Sequence, residues 1–144
     1  NKVGKLTSLI GRHANNRIKM TTYLDTGKSA ITHYQALTFY QNLAHLELTL
    51  ETGRTHQIRV HLSELLKSPI LCDQVYGNPK QDLQRLNKSL TNIIGDYPHP
   101  FLHAKTLGFK HPMTAEKLLF EVGPPLLFKN CLEYLQQNEL EQWV

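Results

Sequence analysis

The run LETGRTHQIRVHL, residues 50–62, brings Arg54, His56, Arg59 and His61 together at a corner of the chain. Two guanidiniums and two imidazoles are donors for phosphate, carboxylate or sugar oxygens. A guanidinium beside an acid favours the ionised form and lowers its pKa by roughly one to three units. Such a run suits something negatively charged.

The elements around the run must hold it. Leu46, Leu48 and Leu50 alternate with Glu47, Thr49 and Glu51, the period of a half-buried antiparallel strand. Gly53 ends that strand. Thr55 is placed to cap a helix on which Ile58, Leu62, Leu65 and Leu66 recur at helical spacing, and Lys67-Ser68-Pro69 stops it. Arg54 then lies in the turn and Arg59 in the first turns of the helix, whose free N–H groups also attract anions.

Further elements follow from the same signals. Ile18 to Leu24 and Ala30 to Phe39 read as two strands of a hairpin about Asp25-Thr26-Gly27-Lys28, with Gly27 supplying a positive φ. Leu83, Leu86, Leu90 and Ile93 or Ile94 form the stripe of one amphipathic helix that Gly95 ends. Leu107 to Phe109 and Lys117 to Val122 read as a second hairpin, and a helix from Pro124-Pro125 closes the chain. The predicted class is α+β: antiparallel or mixed sheet built of hairpins, with helices packed against it. With 144 residues, a single domain spanning 1–144 is expected.

Charge is uneven. Of the formal +4, residues 1–61 carry eight Lys or Arg against Asp25, Glu47 and Glu51, while the remainder is near neutral. A basic half is the footprint of a polyanion partner. No apolar run approaches the ~20 residues needed to cross a membrane. Cys72 and Cys131 lie far apart with no CxxC pairing, which points to free thiols and the cytoplasm.

Other chemistries lack support. His56 and His61 are five apart, so they do not share a helix face. His99 and His103 lie among prolines, and no third ligand completes a set, so no metal is expected. No GxSxG, P-loop or GxGxxG occurs. A metal-dependent hydrolase built on the histidines remains the weaker rival; stoichiometric zinc would support it.

TGRTHQIRVHL followed by PILCDQVYGNP resembles the C-terminal half of the RluA-type pseudouridine synthases, which carry a similar run and then P-I-x-G-D-x-x-Y-G. LIGRHANNRIKM with GKSAITHYQAL resembles the family's basic segment and following hairpin. FLHAKTLGFKHPMTAEKLLFEVGPP resembles its LHA-x-x-LxFxHPxT-x-E stretch. The blocks cover roughly residues 10–125, in order. Cys72 stands where the family usually has glycine.

The resemblance implies isomerisation of uridine to pseudouridine in ribosomal or transfer RNA, with no cofactor. It implies a base taken out of its stack at a cost of a few kcal/mol. The family's nucleophilic aspartate sits in an HRLDxxTSG-like run and its base-stacking tyrosine in a K-x-Y-x-A stretch; neither occurs here. The chain is therefore expected to be the C-terminal portion of a larger catalytic domain, inactive alone and marginal or self-associating in isolation. By resemblance Arg59 is the arginine that supports the missing aspartate, and Arg59→Ala is expected to silence the longer enzyme while leaving it folded. Asp73 reads as structural, and His61 as buried and hydrogen-bonded. Arg54, His56, Arg12, Arg17 and Lys19 are expected at phosphate or sugar, Ile58 and Leu62 on the pocket wall. A non-catalytic RNA-binding module on the same scaffold is the alternative.

Overall fold

The computed structural model describes residues 2–139. Four strands, β1 (Val3–Arg12), β2 (Met20–Thr21), β3 (Lys28–Phe39) and β4 (Ala44–Leu50), form an antiparallel sheet in the order β2-β1-β3-β4. Helix α1 (Gln57–Glu64) follows the last of them. Two short helices, α2 (Pro79–Gln84) and α3 (Lys88–Ile94), precede a separate hairpin of β5 (Thr106–Lys110) and β6 (Lys117–Glu121). Helix α4 (Leu126–Asn138) comes last. The class is α+β, as expected; residues 140–144 of the predicted closing helix lie outside the described residues.

The pairing differs from the predicted first hairpin. β2 pairs with β1, at Gly11 with Thr21 and Arg12 with Met20, and β3 pairs with β1 and β4. Gly27 still has its positive φ, +151°, but the reason is a close approach: a Cβ there would lie 2.7 Å from the Ile10 carbonyl oxygen. The predicted single helix over residues 83–94 is two helices. The Asn87 side chain accepts from Leu90 N at 2.8 Å and starts α3 afresh, and Gly95 ends it at φ +59°.

One sheet face meets α1. Leu6 and Ile10 of β1 and Ala30, Thr32 and Ala36 of β3 are buried there, with Val60 and Leu62 of α1 against them. A second cluster of Tyr40, Cys72, Leu90, Ile94, Cys131 and Leu135 ties α3 and α4 to the segment after α1. No helix among the described residues is long and apolar enough to cross a membrane.

Candidate active site

The corner between β4 and α1 is built from polar groups that satisfy one another. Gln57 is 3% exposed. Its amide nitrogen donates to the Ile31 carbonyl and the Thr32 hydroxyl; its oxygen accepts from the Thr52 hydroxyl and the Arg54 amide. His61 is fully buried and hydrogen-bonds through both ring nitrogens, to Ser8 Oγ at 2.9 Å and Thr32 Oγ1 at 2.8 Å. Burial lowers its pKa and Glu64 only partly opposes that, which favours the neutral ring. Every donor and acceptor of Gln57 is thereby used, which makes this buried network a rigid seat for α1. Thr55 does not cap the helix; His56 occupies that position, left-handed at φ 54° and ψ 22°, with no capping side chain.

One helical step on, Arg59 points away from the core toward the loop after α1. Its Nε donates to Asp73 Oδ2 and its Nη2 to Oδ1, each at 2.8 Å, a two-pronged pair. Asp73 is fully buried, and its Oδ1 also accepts from Val75 N and Tyr76 N at 3.0 Å. Burial alone would push this carboxyl up; Arg59 and the two N–H groups outweigh it and hold the pKa below the ordinary carboxylate value. The Asp73 bond in turn raises the arginine's pKa. Two of five guanidinium N–H groups are used, which leaves three for a further acceptor. The Tyr76 ring lies beneath the guanidinium, 5.1 Å from its carbon, with Lys19 Nζ at 5.9 Å.

The turn carrying these acceptors needs its small residues. Gly77 N donates to the Asp73 carbonyl, and a Cβ at Gly77 would come within 2.9 Å of that oxygen. Cys72 adopts φ 64°, the left-handed region that favours glycine. The departure from glycine at this position is thus a strained one, offset by a thiol buried among Tyr40 and Leu90.

The basic residues expected at RNA fall into two groups. β2 docks on α1 and the tyrosine: Met20 N donates to Tyr76 Oη at 2.8 Å, and Thr21 and Thr22 donate to the Glu64 carboxylate. The loop between β1 and β2 closes on itself through His13 N to the Lys19 carbonyl and Lys19 N to the Asn16 carbonyl. That places Arg12 and Arg17 exposed at the loop and Lys19 beside Tyr76. Arg54 is half-buried, its Nε donating to the Ser29 carbonyl at 2.9 Å. His56 Nδ1 meets Tyr76 Oη at 2.8 Å. Lys19, His56, Arg59 and Tyr76 therefore form one cluster, with Arg12 and Arg17 on the adjoining loop. Leu62 is 5% exposed and, with Ile58, packs against Leu6 and Ile70 in the core. Tyr76 and Gln57 are the site residues that sequence reasoning left unused, although DQVYG and HQIR hold them in plain view, and Asp73, read as structural, is the partner of Arg59.

No group of three or more His, Cys, Asp or Glu that could hold a metal converges among the described residues.

An antiparallel sheet thus seats a helix whose arginine is locked to a buried aspartate beside a basic loop. A family model described as RNA pseudouridylate synthase matches residues 1–64. The chain is 41% identical over 122 residues to the ribosomal large subunit pseudouridine synthase D of Neisseria meningitidis serogroup B, which covers 85% of this chain and 32% of that protein. It is 35% identical over 140 residues to the protein of the same name from Haemophilus influenzae, covering 97% of this chain and 43% of that one. A solved structure of human RNA pseudouridylate synthase domain containing 4 superposes with a TM-score of 0.68 at 27% identity, over 94% of this chain and 57% of that chain. The chain belongs to the RluA-type pseudouridine synthase family. It spans less than half the length of these two bacterial relatives.

Proposed function

We propose that this chain is the C-terminal part of the catalytic domain of an RNA pseudouridine synthase, acting on a uridine of large-subunit ribosomal RNA in the cytoplasm. The carrying observation is the Arg59–Asp73 pair. A guanidinium locked along one edge by a buried carboxylate keeps its other edge in a fixed place. That edge suits a second, catalytic carboxylate supplied by sequence outside this chain. The positive charge would keep that acid ionised and able to attack, with no cofactor. Arg12, Arg17, Lys19, Arg54 and His56 bind RNA phosphate and sugar, contacts that position the strand. The names of the bacterial relatives support ribosomal over transfer RNA. Two free buried thiols, Cys72 and Cys131, support a reducing compartment.

The second reading is an RNA-binding module without catalysis on the same scaffold; an HRLDxxTSG-like run upstream of Asn1 decides for the enzyme. Tritium release from 5-tritiated uridine in ribosomal RNA separates the two, using the protein extended to include such a run. Arg59→Ala would strip the buried Asp73 of its partner, so a variant that keeps the charge is the cleaner test. Arg59→Lys keeps the charge and loses the two-pronged geometry. It should slow tritium release about 100-fold with RNA affinity within about threefold. A near-normal rate contradicts the role given to Arg59, and no release by the extended wild-type protein contradicts the enzyme reading.

A further inference from the structure

Tyr76 does more than lie under Arg59. Its hydroxyl oxygen accepts from Met20 N–H, a group that can only donate, at 2.8 Å. The hydroxyl proton then needs an acceptor, since Tyr76 is 8% exposed. His56 Nδ1, 2.8 Å away, is the neighbour in reach. The reverse arrangement, Nδ1–H donating to the oxygen, would leave that hydroxyl proton with no partner among the described residues. A neutral ring whose Nδ1 accepts carries its proton on Nε2. Nε2 has no protein partner among the described residues and is not buried.

The surroundings favour a neutral ring. Burial and then the Arg59 charge lower the His56 pKa, with Asp73 opposing. The rings meet edge to face, centroids 5.5 Å apart at 84°, a contact that accompanies the hydrogen bond to the same tyrosine. The backbone also takes part: His56 adopts φ 54°, a conformation that glycine and asparagine suit at least as well. A residue chosen only for that turn need not be histidine.

We propose that His56 contacts the substrate as an Nε2–H donor to an oxygen of the RNA backbone, and that Tyr76 is the positioning residue that fixes this tautomer. The proposal rests on the RNA reading above and adds to it the donor atom and its support. It couples three elements at one hydroxyl: β2 through Met20, the start of α1 through His56, and the turn after α1 through Tyr76 itself. Lys19 and Arg59 flank the same ring, so an oxygen meeting Nε2 also meets positive charge.

Two experiments on the 144-residue chain test this. Long-range proton–nitrogen correlation spectra at pH 7.5 should show His56 protonated at Nε2; protonation at Nδ1 overturns the proposal. Affinity for a uridine-containing stem-loop RNA, read by fluorescence anisotropy, should then rank the variants by side-chain reach. The amide of His56→Gln reaches the Nε2 position and should bind within about threefold of wild type. His56→Asn and His56→Gly should lose about tenfold, although thermal unfolding should find both at least as stable as His56→Gln. Tyr76→Phe keeps the ring under Arg59 and should lose about as much as His56→Asn, with the paired variant no worse than either. A ranking that follows the backbone, with Asn and Gly ahead of Gln, overturns the donor role, as do additive losses. Variants that all bind like wild type sink this inference and leave the RNA reading standing. A wild-type chain that ignores the stem-loop contradicts the RNA reading itself.

Discussion

The corner around α1 and the β5–β6 hairpin handle burial in opposite ways. At the corner, Gln57, His61 and Asp73 are polar and almost wholly buried, and each has its partners. In the hairpin, Leu107, Leu119 and Phe120 are apolar and 62%, 72% and 56% exposed. Ordinary folding does the reverse in both places. Buried polar groups are costly unless satisfied, so where a fold keeps them it is holding something still. Here the held object is a guanidinium with one edge free. The hairpin is a regular two-stranded ladder, yet its apolar side chains contribute little to the stability of this chain.

The contrast predicts where substitutions hurt. The largest loss should come from removing one member of the buried ion pair: Arg59→Ala or Asp73→Ala should each cost about 3–5 kcal/mol in urea unfolding. A cost below 1 kcal/mol would make the corner no more than a surface feature. Next comes the neutral network. Thr32→Val takes the acceptor from Gln57 and the partner from His61 while keeping the shape, and should cost about 1–3 kcal/mol. Acid sharpens the same point. The folded Asp73 pKa lies below the ~3.9 of a free carboxyl, so the pair's stabilisation is complete above about pH 4. It is lost as pH falls through the lower folded value, and Asp73→Asn should flatten that part of the stability curve.

Smaller effects complete the ranking. Burial pushes the Cys72 thiol up to about 11, so iodoacetamide at pH 8 should label it in urea and spare it in the native chain. Rapid native labelling would mean that the turn before Asp73 opens readily. Least of all, Leu119→Lys should change the unfolding free energy by no more than about 0.5 kcal/mol, because the side chain is already in water. A loss comparable to that of Thr32→Val would erase the difference between the two regions.

Much of this was legible in the sequence where the signal is local. The alternation of Leu46, Leu48 and Leu50 marks β4, the spacing of Ile58 and Leu62 marks α1, and both strands of β5–β6 fall where their patterns put them. Pairing partners are not local. Nothing in residues 18–24 says that Met20 and Thr21 should pair back to β1 and then dock on Glu64 and Tyr76. Likewise Asn87 sits inside an unbroken apolar stripe, and only its side chain turning to cap Leu90 N splits the helix. The site divides the same way. The resemblance singles out Arg59 and marks Asp73 as structural, whereas their pairing emerges only when the turn at Gly77 brings Asp73 back across fourteen positions.

The account depends most on Arg59 and Asp73 acting as one unit, and a double-mutant cycle measures that directly. Arg59→Met, Asp73→Asn and the pair together, followed by urea unfolding at pH 7, should give a coupling energy of about 2–3 kcal/mol. Coupling indistinguishable from zero, with both single losses simply adding, would mean that nothing holds the guanidinium in place and would contradict the account.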